Sequence, residues 1–181
     1  MTLHTFVVYV EDRPGVLNRV SSLFRRRGFN IESLSVGHSE TSGVSRMTVV
    51  VATDANGAAR IRAHLWKLVH VVRVEDISEQ PAIVRELALI KLAADHENRA
   101  AVMQLAHVFD ARVVDVAVES LVIEICAPED KVSRLTDVLR PYGILETVRT
   151  GRVAMARGSS APSLAGLRDR TAAEEGLSYS V

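Results

Sequence analysis

The fold is decided near the N-terminus, by His4-Thr-Phe-Val-Val-Tyr-Val10-Glu-Asp-Arg-Pro-Gly15-Val-Leu-Asn-Arg-Val20-Ser-Ser-Leu-Phe-Arg25-Arg-Arg-Gly28. His4 to Val10 is apolar and β-branched, the composition of a buried strand. Glu11 to Gly15 is a turn cluster, with Asp12 or Arg13 set to precede a helix and Pro14 suited to its first turn. Val16, Leu17, Val20, Leu23 and Phe24 then recur at helical spacing, and Asn18, Arg19, Ser22 and Arg26 face the other way. Gly28 ends the helix, because it tolerates a positive φ.

Outward from this stretch, Ile31, Leu34 and Val36 begin a second strand and Met47 to Ala52 form a third, with Gly37 to Gly43 as a polar hairpin loop. A weaker helix from about Ala58 to Val69 carries Ile61, Leu65 and Leu68, and Val71, Val72 and Val74 make a fourth strand. The order is βαββαβ, the split βαβ unit of ferredoxin-like folds. The second half repeats it. Leu87 to Ala93 is a strand, and Asn98 to Phe109 a helix with Val102, Leu105, Ala106 and Phe109 inward. Val113 to Val118 and Leu121 to Ala127 are strands, Pro128 opens a helix through Leu139, and Ile144 to Val148 closes the set. Val20-Ser-Ser-Leu23 aligns with Val102-Met-Gln-Leu105, and Ile31-Glu-Ser-Leu34-Ser-Val36 with Val113-Val-Asp-Val116-Ala-Val118, so the repeat extends to individual residues. The expected fold is α+β. Two tandem ferredoxin-like βαββαβ units occupy residues 1–78 and 85–157, joined by a linker at 79–84 and followed by a flexible C-terminal tail at 158–181.

Composition narrows the function. The 181 residues are 48% hydrophobic and 24% charged, an ordinary globular balance. With 22 Lys plus Arg against 22 Asp plus Glu, no surplus positive charge supports a nucleic-acid binder, and 4% aromatic content argues against a base-stacking platform. Cys126 is the only cysteine, which excludes an internal disulfide and a multi-thiolate zinc site. It lies in the alternating stretch Val122 to Cys126, which suits packing better than nucleophilic chemistry. No apolar run approaches the roughly 20 residues that span a bilayer, and Met1-Thr2-Leu3-His4 is not the start of a signal peptide. The expectation is a cytoplasmic protein. The six histidines share no metal-ligand spacing, Glu32 and Glu40 have no evident base or metal partner, and Trp66 and Leu68 read as structural. No Gly-rich phosphate loop is present. Catalytic and metal-binding residues are therefore expected to be absent.

One place has the chemistry of a binding site. The turn Glu11 to Gly15 runs into a helix N-terminus, where backbone N–H groups lack intrahelical partners and favour a carboxylate. Gly15 admits a ligand close to the backbone, Asp12 offers an acceptor for an ammonium group, and the Asn30 amide can both donate and accept. Together these suit an amino acid. The same residues also make an ordinary well-capped turn and a helix exit, and composition alone does not choose between the two.

Glu11-Asp-Arg-Pro-Gly-Val-Leu-Asn-Arg-Val20, followed by Leu23-Phe-Arg-Arg-Arg-Gly-Phe-Asn-Ile-Glu-Ser-Leu34, resembles the N-terminal ACT domain of the acetolactate synthase small, regulatory subunit. Ser45 to Thr48, Leu65 to Val69, Arg85 to Lys91 and Glu119 to Leu121 also fit that family, and the similarity spans roughly Thr5 to Gly158. The resemblance implies a non-catalytic partner of a large thiamine-diphosphate enzyme, a transferase that condenses two pyruvates, or pyruvate with 2-oxobutyrate. That chemistry opens valine, leucine and isoleucine synthesis. Thiamine diphosphate, magnesium and FAD would sit on the large subunit, with no cofactor on this chain. The small subunit would raise large-subunit activity and confer feedback inhibition by valine, with leucine or isoleucine as other effectors. The resemblance further implies a homodimer through ACT domains, with valine at the seam. Asp12, Pro14, Gly15, Val16 and Leu17 would come from one chain, and Asn30 and Ile31 from the facing one. The second domain, Arg85 to Met155, would carry contacts to the large subunit. Asp12 stands where many members have Asn, and Asn18 where Ser or Ala is frequent. A valine-insensitive paralogue, a free-standing ACT-type amino-acid sensor and a small ferredoxin-like enzyme with a site between the halves are the alternatives.

Overall fold

A computed structural model describes residues 1–158, so the tail expected at 158–181 lies, apart from its first residue, outside the described residues. The first unit consists of β1 (Thr2–Glu11), α1 (Val16–Arg26), β2 (Ser33–His38), β3 (Val44–Thr53), α2 (Ala55–Leu65) and β4 (Val71–Asp76). The second consists of β5 (Ala82–Ala93), α3 (Arg99–Val108), β6 (Arg112–Val116), β7 (Ser120–Ala127), α4 (Glu129–Leu139), a 3₁₀ turn (Arg140–Tyr142), β8 (Ile144–Arg149) and β9 (Val153–Ala156). The sheets have the orders β2-β3-β1-β4 and β6-β7-β5-β8, every pairing antiparallel, and β9 pairs with the start of β5. The α+β class and the duplicated βαββαβ order are as expected.

Each sheet buries one face against its own two helices. Phe6, Val8 and Val10 of β1 and Met47, Val49 and Val51 of β3 pack against Val20, Phe24, Ile61 and Leu65. Ile90, Leu92, Ile123 and Ile125 pack against Val102, Ala106, Leu135 and Leu139 in the second unit. Each such side chain contributes roughly 1.5–3 kcal/mol by leaving water. The other face of the first sheet is also covered. Val7, Tyr9 and Val44 meet Ala154 of β9, with Ala82 and Val84 of β5 alongside. Burial on both faces is why His4 to Val10 reads as a continuous apolar run rather than an alternation.

That same cover corrects the expected connection between units. Residues 82–85, expected in or beside the linker, pair with Val153–Ala156 of β9 as a strand ribbon across the first sheet. Arg46 seals the contact: its guanidinium lies 5.8 Å from the Tyr9 ring centroid and donates to the Ala154 carbonyl. The outer face of the second sheet has no such cover among the described residues, so Cys126 is exposed rather than packed. Trp66, expected to be structural, is also half exposed, at 50%. Helix α2 runs from Ala55 to Leu65 instead of Ala58 to Val69, because Asp54 accepts from the Gly57 N–H at 2.6 Å and fixes an earlier start. The hairpin loop is shorter than expected, with Gly37 and His38 still in β2 and β3 starting at Val44.

No described helix is long and apolar enough to cross a membrane, and no group of three or more His, Cys, Asp or Glu among the described residues could hold a metal ion.

Candidate functional site

The turn between β1 and α1 is held from both sides. The Glu11 N–H donates to the His70 carbonyl at 2.9 Å and the Asp12 N–H to the Gly43 carbonyl at 2.8 Å, which ties it to the entrances of β4 and β3. Glu11 Oε2 lies 2.9 Å from Arg13 Nε and 3.0 Å from His70 Nδ1. Pro14 lies in this turn and not in the first helical turn, because Gly15 occupies the cap position with φ +82° and the helix begins at Val16. A left-handed residue suits glycine there, since any Cβ costs about 1 kcal/mol in that region.

The N-terminus of α1 differs from those of α2 and α4, while α3 likewise has neither a side-chain cap nor an acid in its first turn. Asp54 caps α2, Asp95 accepts from the N–H groups of Glu97 and Asn98 just before α3, and Glu129 and Asp130 lie in the first turn of α4. Helix α1 has no side-chain cap and no acid in its first turn. The N–H groups of Gly15, Leu17 and Asn18 have no acceptor among the described residues. Three donors and the positive end of the helix dipole are thus left for an external anion. Leu17 is exposed at 43% beside them, an apolar surface within reach of whatever binds. Val16, expected as a ligand contact, buries its side chain in the core at 4% exposure, which leaves that side chain out of a ligand's reach. Its N–H turns back to the Arg13 carbonyl at 3.3 Å.

Asp12 is oriented by partners that the spacing of the sequence does not reveal. Its Oδ1 accepts from Ser45 Oγ at 3.1 Å, and its Oδ2 lies 3.3 Å from His38 Nδ1. The signal is the β2–β3 register, which sets His38 opposite Ser45 at the end of the sheet where β1 finishes. Asn30 donates to Glu32 Oε1 at 2.9 Å, so its amide is oriented by the carboxylate two residues on.

The expected site residues divide into two groups. Asp12, Pro14, Gly15, Val16 and Leu17 surround the uncapped turn, beside the C-terminal end of β2, where His38 meets Asp12. Asn30 and Ile31 precede Ser33 at the other end of β2. Six strand residues at about 3.3 Å each separate the groups by roughly 20 Å. One chain therefore does not bring all seven together. Strand β2 pairs only with β3, so its outer edge presents unpaired N–H and C=O groups among the described residues.

Comparison with known proteins agrees with this architecture. Residues 6–73 match the family described as the AHAS small subunit-like ACT domain, and residues 85–158 match the family described as the small subunit of acetolactate synthase. A probable acetolactate synthase small subunit of Archaeoglobus fulgidus is 49% identical over 156 residues, covering 86% of this chain and 98% of that protein. The acetolactate synthase small subunit of Mycolicibacterium smegmatis is 47% identical over 155 residues, covering 86% and 91%. The crystal structure of the acetolactate synthase small subunit from Thermotoga maritima superposes with a TM-score of 0.82 at 37% identity, over 88% of this chain and 99% of that one. With both halves matched and the duplicated fold shared, the chain belongs to the acetolactate synthase small-subunit family, whose name implies a catalytic large subunit as partner.

Proposed function

We propose that this chain activates the thiamine-diphosphate-dependent large subunit of acetolactate synthase and confers on it feedback inhibition by valine. The chain itself is non-catalytic and works in the cytoplasm with the branched-chain amino-acid pathway. The observation that carries the effector site is the uncapped α1 N-terminus beside an unpaired β2 edge. Two copies related by a two-fold axis pair their β2 edges antiparallel. Antiparallel pairing sets the start of one β2 against the end of the other, so Asn30 and Ile31 of the partner subunit come beside Asp12 to Leu17. The 20 Å that divides the two groups within one chain thus becomes an argument for the dimer. Symmetry supplies the site twice.

In this arrangement the N–H groups of Gly15, Leu17 and Asn18 take the valine carboxylate. Asp12 and the partner's Asn30 take the ammonium group. Leu17 and the partner's Ile31 take the isopropyl group. Valine inhibits by binding more tightly to the assembly whose large subunit is less active. Calorimetric titration of the full chain with valine, leucine and isoleucine tests the site, with sedimentation to give the oligomeric state. The expected result is a dimer that saturates at one valine per chain. A monomer that gives no heat with any of the three contradicts it.

A further inference from the structure

The two units share their order of elements, yet their helical layers carry charge differently. Helices α1 and α2 contain no Asp or Glu. They and the residues just after them carry seven exposed cations: Arg19, Arg25, Arg26, Arg27, Arg60, Arg62 and Lys67. None of the seven forms an ion pair among the described residues. In the second unit the corresponding layer is neutralised internally, by Lys131 with Asp110, Arg134 with Asp130, Arg140 with Asp137 and Arg152 with Glu129. The chain as a whole has equal numbers of cations and anions, so the unpaired charge is a property of one face and not of a basic composition.

That face has shape as well as charge. A cleft of about 370 Å³ runs between the helices, lined by Arg19, Arg26, Arg27, His64 and Lys67 with no acid among its walls. His64 is held below the ordinary imidazole pKa, first by lost hydration and then by repulsion from Arg27, Lys67 and Arg60. Trp66, half exposed, and Val69, 81% exposed, follow directly on α2. Trp and Arg are the residue types that most often dominate binding energy at protein interfaces. Two other surfaces of this unit are already committed. The back of its sheet lies under β5 and β9, and the β2 edge belongs to the proposed dimer seam.

We propose that the α1–α2 face of the first unit docks an acidic surface of the catalytic large subunit, with Trp66 as its apolar anchor. The inference rests on the small-subunit reading, and it moves the expected contact from the second unit, Arg85 to Met155, to the first. An extended protein surface fits better than a small polyanion, because Arg25, Arg62 and Trp66 lie outside the cleft that a small anion would fill. The placement also makes α1 a common element. Its N-terminus faces the effector site, and its last turn carries Arg25 and Arg26 into the docking face about 16 Å away.

The test measures the affinity of the cognate large subunit for the full chain at low and at high salt. The variants are the double reversal Arg26→Glu with Lys67→Glu, Trp66→Ala, and Arg134→Glu on the second unit as control. Valine calorimetry on each variant verifies that it is folded. The double reversal is expected to weaken association by about tenfold or more at low salt and to flatten its salt dependence. Trp66→Ala is expected to speed dissociation, and the control to change neither. Unchanged large-subunit affinity in a double variant that binds valine normally overturns the docking face and leaves the subunit role intact. The docking face is equally overturned if the double variant loses only binding of inorganic tripolyphosphate. A wild-type chain that does not bind the large subunit overturns both readings.

Discussion

Gly15 combines two properties at the entrance of α1. Its φ of +82° turns the chain into α1, and a Cβ built there meets no atom within 4 Å, so the space beside it is open to a ligand. Gly15→Asp places a carboxylate at the uncapped N–H groups at a backbone cost of about 1 kcal/mol. We expect this variant to keep large-subunit activation and lose the valine response; full valine inhibition in it contradicts the site. Asn30→Ala is expected to weaken valine by about 1–3 kcal/mol, the usual loss of a hydrogen bond to a charged group. Unchanged affinity by calorimetry removes Asn30 from the site. Glu86 is buried at 4% exposure and takes both of its hydrogen bonds from the Arg149 guanidinium, which holds the arginine above its ordinary pKa. Arg149→Ala strands that carboxylate. The expected loss is about 2–3 kcal/mol, at or below the low end for a broken buried pair because Arg149 is one-third exposed. A denaturant midpoint that does not move contradicts this role for Glu86.

At the scale of elements, the β2 edge carries the dimer. The Ser39 N–H bonds to the Val44 carbonyl, so the period of two turns the Val36 N–H outward, away from β3. Val36→Pro removes a donor that the single chain does not use. Pro is tolerated on an edge strand, so the fold survives. The variant is expected to sediment as a monomer and bind valine weakly; a dimer of wild-type strength rules out the β2 seam. The elements are legible in the sequence because local signals set them. Val20, Phe24 and Val16 fall on one helical stripe, and β7 alternates in register with its core. Alternation shows that a strand has two faces but not which of them a distant segment covers, and for that reason the sequence misplaces Cys126 and residues 82–85. The turn from Asp12 to Gly15 is legible from residue types alone. His38 and Ser45 as partners of Asp12 are not, since their proximity arises only from the pairing of β1, β2 and β3. Trp66 resembles core because an apolar residue at helical spacing usually is, but helix α2 ends one residue before it.

At the scale of the whole molecule, the units are joined where Gly151 passes β2. A Cβ on Gly151 would lie 2.8 Å from Ser33 Cβ, its φ is +74°, and the Arg152 N–H donates to Ser33 Oγ at 3.2 Å. Gly151→Val therefore strains the turn and forces the joint apart. It is expected to cost about 1–3 kcal/mol in unfolding free energy, and a stability equal to wild type contradicts the close approach. The joint lies two residues from Ile31, so the seam, the second unit and α1 all meet around one short strand. A ligand that changes the angle between two chains at that seam changes what both chains present to a large subunit. The decisive measurement is acetolactate formation by the cognate large subunit, with and without the chain, across a valine titration. The rate is expected to rise when the chain is added and to fall again as valine saturates. A rate that the chain does not raise, at any valine concentration, contradicts the regulatory role.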